Sequence, residues 1–137
     1  MGVNDYQIGG SHYKGEGDYQ HWDWVIDNGL HYLHGCATKY ILRWKSKNGV
    51  EDLRKAVHYL TKAEDRCIRY YKYETHQKLM IMDDSYRTFY DAIPQVERDI
   101  IHAILGSNVT MAQHLLAHLI ASECSVGEAN SNYTNQG

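Results

Sequence analysis

Lys39 and Arg43 stand one helical turn apart, with Gly35 one turn before them, so helical spacing puts all three on one face. A glycine there removes a side chain and lets a ligand or another helix approach closely. Arg offers a planar fork for phosphate oxygens and Lys a mobile point charge. The stretch from 39 to 47 holds Lys39, Arg43, Lys45 and Lys47, and no acid follows until Glu51. The chemistry this suggests is capture of a small anion.

A second group lies downstream. Asp52, Lys55, Ala56 and Tyr59 share a helical face. Two readings of the basic pair therefore stand: Lys39 and Arg43 hold an anion, or they form salt bridges with Asp52 or Glu51. Upstream, "SHYK" contributes His12, Tyr13 and Lys14 as phosphate donors and a stacking ring, or as a plain exposed arm. In "WDW", Trp22 is expected in the core, which leaves Asp23 on the polar side as an acceptor for a ribose or a metal-bound water.

Other chemistries are poorly supported. No GxxxxGK[ST] occurs, and no GxGxxG lies between a strand and a helix. His114 and His118 are spaced by four and His31 and His34 by three, without an HExxH or an obvious third ligand, so no metal site is expected. The net charge of -3 argues against coating a nucleic-acid polymer. Cys36, Cys67 and Cys124 are odd in number and widely spaced, which reads as reduced, mostly buried thiols. No signal peptide is expected, and no apolar run reaches the length of a membrane span.

The elements that must position these residues are helices. One proline, few valines and 43% hydrophobic residues in 137 favour a single all-α domain. The expected fold is a small bundle of about five helices with a flexible N-terminal arm (1–17) and a disordered C-terminal tail (125–137). A core of three helices (18–82) would contain a short helix opened by Asp18, a second from Leu30 to Lys47, and a third from Val50. The third carries Leu53, Ala56, Val57, Leu60, Ala63 and Cys67 as a buried stripe, and its pattern could run to Met82, about 45 Å at the usual rise. A break is expected over 82–94, then a helical pair within 83–124, begun by Pro94 and by Thr110. The long third helix and this pair suggest a homo-oligomer.

The ordered set His12-Tyr13, Asp23, Gly29-Leu30, Gly35, Lys39-Tyr40-Ile41-Leu42-Arg43, Lys47, Glu51-Asp52-Leu53, Lys55-Ala56 and Tyr59-Leu60 resembles the SaV-like (DUF3310) family of small bacteriophage proteins, over about residues 11–68. Cys36 stands where members often carry Asn, which removes a polar contact. The characterised kind is a nucleotide kinase that phosphorylates deoxynucleoside monophosphates without a P-loop. The resemblance thus implies a phage nucleotide kinase in the host cytoplasm, with ATP as phosphate donor and Mg²⁺ as an open question.

On that reading the phosphates lie against Gly35, Lys39, Arg43 and Lys47, flanked by Lys55 and Tyr59 and covered by His12, Tyr13 and Lys14. Lys39 and Arg43 neutralise charge, Asp23 or Asp52 orients the acceptor, and Tyr13 or Tyr40 stacks on the base. Two alternatives remain: a non-catalytic protein that sequesters a nucleotide or cyclic dinucleotide, and a protein–protein modulator of a host enzyme.

Overall fold

A computed structural model describes residues 18–68 and 80–135, with side chains as far as Val126. Its elements are α1 (His21–Asp27), α2 (Tyr32–Arg43) closed by a 3-10 turn (Trp44–Ser46), α3 (Val50–Asp65), α4 (Asp84–Asp91), α5 (Gln95–Leu105) and α6 (Val109–Asn135). The chain is all-α, with no strand among the described residues. No described helix is long and apolar enough to cross a membrane.

α2 and α3 form an antiparallel hairpin. Gly49, at φ 63°, makes its turn, a backbone region open to glycine at little cost. α5 and α6 pack on one another, and each also meets the hairpin, α5 through α2 and α6 through α3. Trp24, Ile41, Leu53, Leu60, Tyr86, Ile100, Ile101, Ile104 and Leu116 consequently share one core. Much of the apolar stripe of the C-terminal pair is spent inside the chain. The backbone of α6 is helical to Asn135, through a stretch whose composition suggests a tail.

Several expectations change. The helix opened by Asp18 instead begins at His21, capped by Gln20 and Asp23 acting reciprocally. Within it Trp24, not Trp22, enters the core: Trp24 is fully buried, whereas Trp22 is 48% and Ile26 74% exposed. The inward face is His21–Trp24–Asn28, because this two-turn helix meets α2 through polar as well as apolar side chains. α2 is shorter than the 30–47 span, since the His31 ring caps it by accepting from the Leu33 N–H.

The third helix does not continue past residue 65. The N–H of Cys67 donates to Glu64 and that of Ile68 to Ala63, with Cys67 at φ 54°, the left-handed closure that satisfies terminal carbonyls. Cys67 is thereby exposed rather than part of a buried stripe, and 69–79 lies outside the described residues. The expected break over 82–94 contains a real helix, α4. Asp83 caps it by accepting from the Ser85 N–H, and it buries Tyr86 and Tyr90.

Two polar anchors tie these pieces together. The fully buried Asn28 side chain donates to the carbonyls of Trp24 and Ile81 and accepts the Ile81 N–H, fixing the entry to α4 against α1. Pro94, at the start of α5, has no N–H for the Glu97 carboxylate to cap. Glu97 turns inward instead and accepts from the Trp44 indole at 3.1 Å, with the Lys45 ammonium at 3.6 Å.

Candidate functional site

The basic residues of α2 converge with the start of α3 on Asp52. Its carboxylate is fully buried and accepts from Arg43 Nε at 3.2 Å and Nη2 at 3.3 Å. The backbone and side-chain amides of Asn48 donate to it at 3.3 Å each, and Lys55 Nζ lies at 4.0 Å. Burial pushes the Asp52 carboxyl up, but the hydrogen bonds from Arg43 and Asn48 outweigh it and hold the group below its usual range. Its place in the first turn of α3 adds the favourable end of the helix dipole.

Of the two readings open for Arg43, the structure decides for the ion pair with Asp52, and buried rather than at the surface: the Arg43 side chain is 11% exposed. Asp52 is correspondingly a structural acceptor, not a carboxylate turned to a substrate.

Around this pair lies an aromatic surface. The Arg43 guanidinium sits 4.5 Å from the Tyr40 ring centroid, Lys55 Nζ 5.4 Å and Lys39 Nζ 5.8 Å. Tyr40 stacks on Tyr59 at 5.7 Å with planes 16° apart. Tyr59 in turn meets the exposed Tyr32 edge-on at 6.4 Å. Burial, then the neighbouring Cys36, Tyr40 and Tyr32, push the Tyr59 phenol up, and contact with Cys36 does the same for Tyr32. Gly35, Lys39, Tyr40, Arg43, Asp52, Lys55 and Tyr59 are thus all placed on or beside the α2–α3 hairpin.

Several candidates have other work. A Cβ at Gly35 would lie 3.2 Å from Val25 Cγ1, so this glycine admits α1 rather than a ligand. Asp23 Oδ2 accepts the Gln20 N–H at 2.9 Å, a helix cap rather than an acceptor for ribose. Lys47 is exposed in the turn after the 3-10 segment. His12, Tyr13 and Lys14 lie outside the described residues. No group of three or more His, Cys, Asp or Glu side chains among the described residues is placed to hold a metal ion.

Sequence reasoning did not find Tyr32, Asn48 or the layer beneath Lys39. There His21 Nε2 lies 2.9 Å from Thr38 Oγ1, which donates to the Gly35 carbonyl. Burial, with Lys39 nearby, lowers the His21 imidazole to about 3, and it stays neutral. Tyr32 had a legible signal, one turn before Cys36 on the helix that carries Lys39 and Tyr40. Asn48 had only its place in a Lys-Asn-Gly turn.

The profile of a family described as "protein of unknown function (DUF3310)" matches residues 9–61, which contain this whole hairpin surface. The match supports membership of that family. Its description attaches no activity to the match. No curated protein and no solved structure matches the chain.

Proposed function

We propose that this chain binds a nucleotide on the α2–α3 face, with phosphate oxygens at Lys39 and Lys55 and the base against the tyrosine ladder. The observation that carries this reading is the gathering of Lys39, Arg43 and Lys55 within 4.5–5.8 Å of one ring, Tyr40, beside the rings of Tyr59 and Tyr32. Cations next to planar π-faces suit a ligand with an anionic end and an aromatic end. The buried pair with Asp52 pre-sets the Arg43 guanidinium, so little side-chain entropy is lost when an anion arrives.

Phosphoryl transfer, the activity implied by the resemblance, asks for one more group: a carboxylate that orients the acceptor. Asp52 and Asp23, the two candidates, are engaged with Arg43 and with the α1 cap. Binding is therefore the function the geometry supports best.

The experiment is a titration of the protein with nucleoside mono- and triphosphates, repeated for Lys39→Ala, Lys55→Ala and Tyr40→Leu. Losing a charge-assisted hydrogen bond worth roughly 1.5–3 kcal/mol weakens affinity about ten- to hundredfold. Affinity also falls with added salt, because the lysines are partly solvated. Unaltered binding in all three variants, or no binding by the wild type, refutes the site. Incubation with ATP and a panel of deoxynucleoside monophosphates, read by chromatography, shows whether any bound nucleotide is turned over.

A further inference from the structure

On α6 the imidazoles of His114 and His118 meet edge to face one turn apart, with ring centroids 4.7 Å apart and planes at 75°. Both side chains are exposed, on the side of the helix away from the buried Val109, Ala112 and Leu116. Two histidine nitrogens bound to one ion at about 2.0–2.1 Å place their ring centroids roughly 4.5–5.2 Å apart for angles between about 90° and 109° at the metal. The observed 4.7 Å falls inside that span, and rotation of the two exposed side chains from this edge-on arrangement brings one nitrogen of each ring to a shared ion. Helical spacing of i and i+4 sets both rings on one face before any metal arrives.

We infer that His114 and His118 form a two-histidine site for a late first-row divalent ion, with zinc, nickel and copper the chemical class that imidazole favours. The pair has no third protein donor grouped with it among the described residues. A tetrahedral ion held there keeps two positions for water or for a donor from another molecule. The site stands apart from the nucleotide face: it lies on α6, outside the segment matched by the family profile, and does not depend on that reading.

The test is calorimetric titration of the full chain with zinc chloride, for the wild type, for His114→Gln/His118→Gln, and for the control His58→Gln/His102→Gln, which removes two other exposed histidines. The chain has nine histidines and three cysteines, so the difference between these proteins is the readout. The His114/His118 variant is expected to lose one equivalent of bound zinc, and the control to keep it. Either single variant, His114→Gln or His118→Gln, weakens that equivalent by roughly 10–100-fold or more, at least the effect of losing an outer-shell partner. Unchanged melting of the exposed-face variants shows that the fold is retained. Imidazole ¹⁵N resonances of the wild type that shift on adding zinc at these two rings support the site. Identical zinc stoichiometry and affinity in the wild type and the His114/His118 variant overturn it.

Discussion

Arg43→Ala removes the cation of a buried pair and tests how the hairpin is held. Asp52 is fully buried, and two of its hydrogen bonds come from the guanidinium. Removing one partner of a buried pair costs roughly 3–5 kcal/mol, since the remaining charge loses its compensation. Here the two Asn48 donors and Lys55 at 4.0 Å stay behind, which puts the loss at the lower end, about 3 kcal/mol. With a urea slope of about 2 kcal/mol per molar, the unfolding midpoint falls by about 1.5 M. Arg43→Lys keeps the charge but not the fork and lands between the wild type and Arg43→Ala. In the double-mutant cycle with Asp52→Ala, the coupling is expected to exceed about 1 kcal/mol. A loss below about 1 kcal/mol for Arg43→Ala is what an exposed pair gives, and would refute the reasoning.

Stability should fall on mild acidification. His21 is held neutral, with its folded value lowered to about 3, and burial lowers His34 too. The unfolded chain takes up these protons near 6.5, so below that pH it binds more protons than the fold and stability drops as pH falls. At pH 5 the cost from His21 alone is about 2 kcal/mol relative to pH 7.5, at about 1.36 kcal/mol for each of 1.5 units. Urea midpoints at the two pH values check this, and His21→Gln should flatten the slope. Asp52 acts in a separate window: with its folded value depressed, its contribution is present above the usual carboxylate range and fades only as pH falls through the folded value. Asn28→Ala removes three hydrogen bonds made by a buried side chain and is expected to cost about 2–3 kcal/mol, with faster amide exchange at Ile81. Unchanged exchange at Ile81 would show that the entry to α4 is held by something else.

Some of this protein was legible in the chain itself. Period-3.6 apolar spacing located the start of α3 and the whole of α5 to within a residue, and the start of α6 to within about two, because each buries a broad stripe whose side chains must recur at that period. The same spacing placed Lys39, Arg43 and Asp52 as neighbours and stated both possible outcomes for them. Of the short elements, α4 escaped, and α1 was expected as a helix but with the wrong tryptophan turned inward. α4 buries Tyr86 and Tyr90, and α1 buries His21, Trp24 and Asn28, residues whose polar groups blur an apolar pattern. The end of α3 also escaped, since the closure at Cys67 places a non-glycine residue in a left-handed conformation that composition does not announce.

What the tertiary structure alone decided is which partner each polar group takes. Gly35 is equally suited to a ligand or a helix until Val25 is found 3.2 Å from the position of a Cβ. Arg43 is equally suited to phosphate or carboxylate until the Gly49 turn folds Asp52 back beneath it, where burial makes the unpaired alternative costly. Spacing along one helix fixes which residues share a face. It carries no information about what another helix, set by the packing of the whole core, brings against that face.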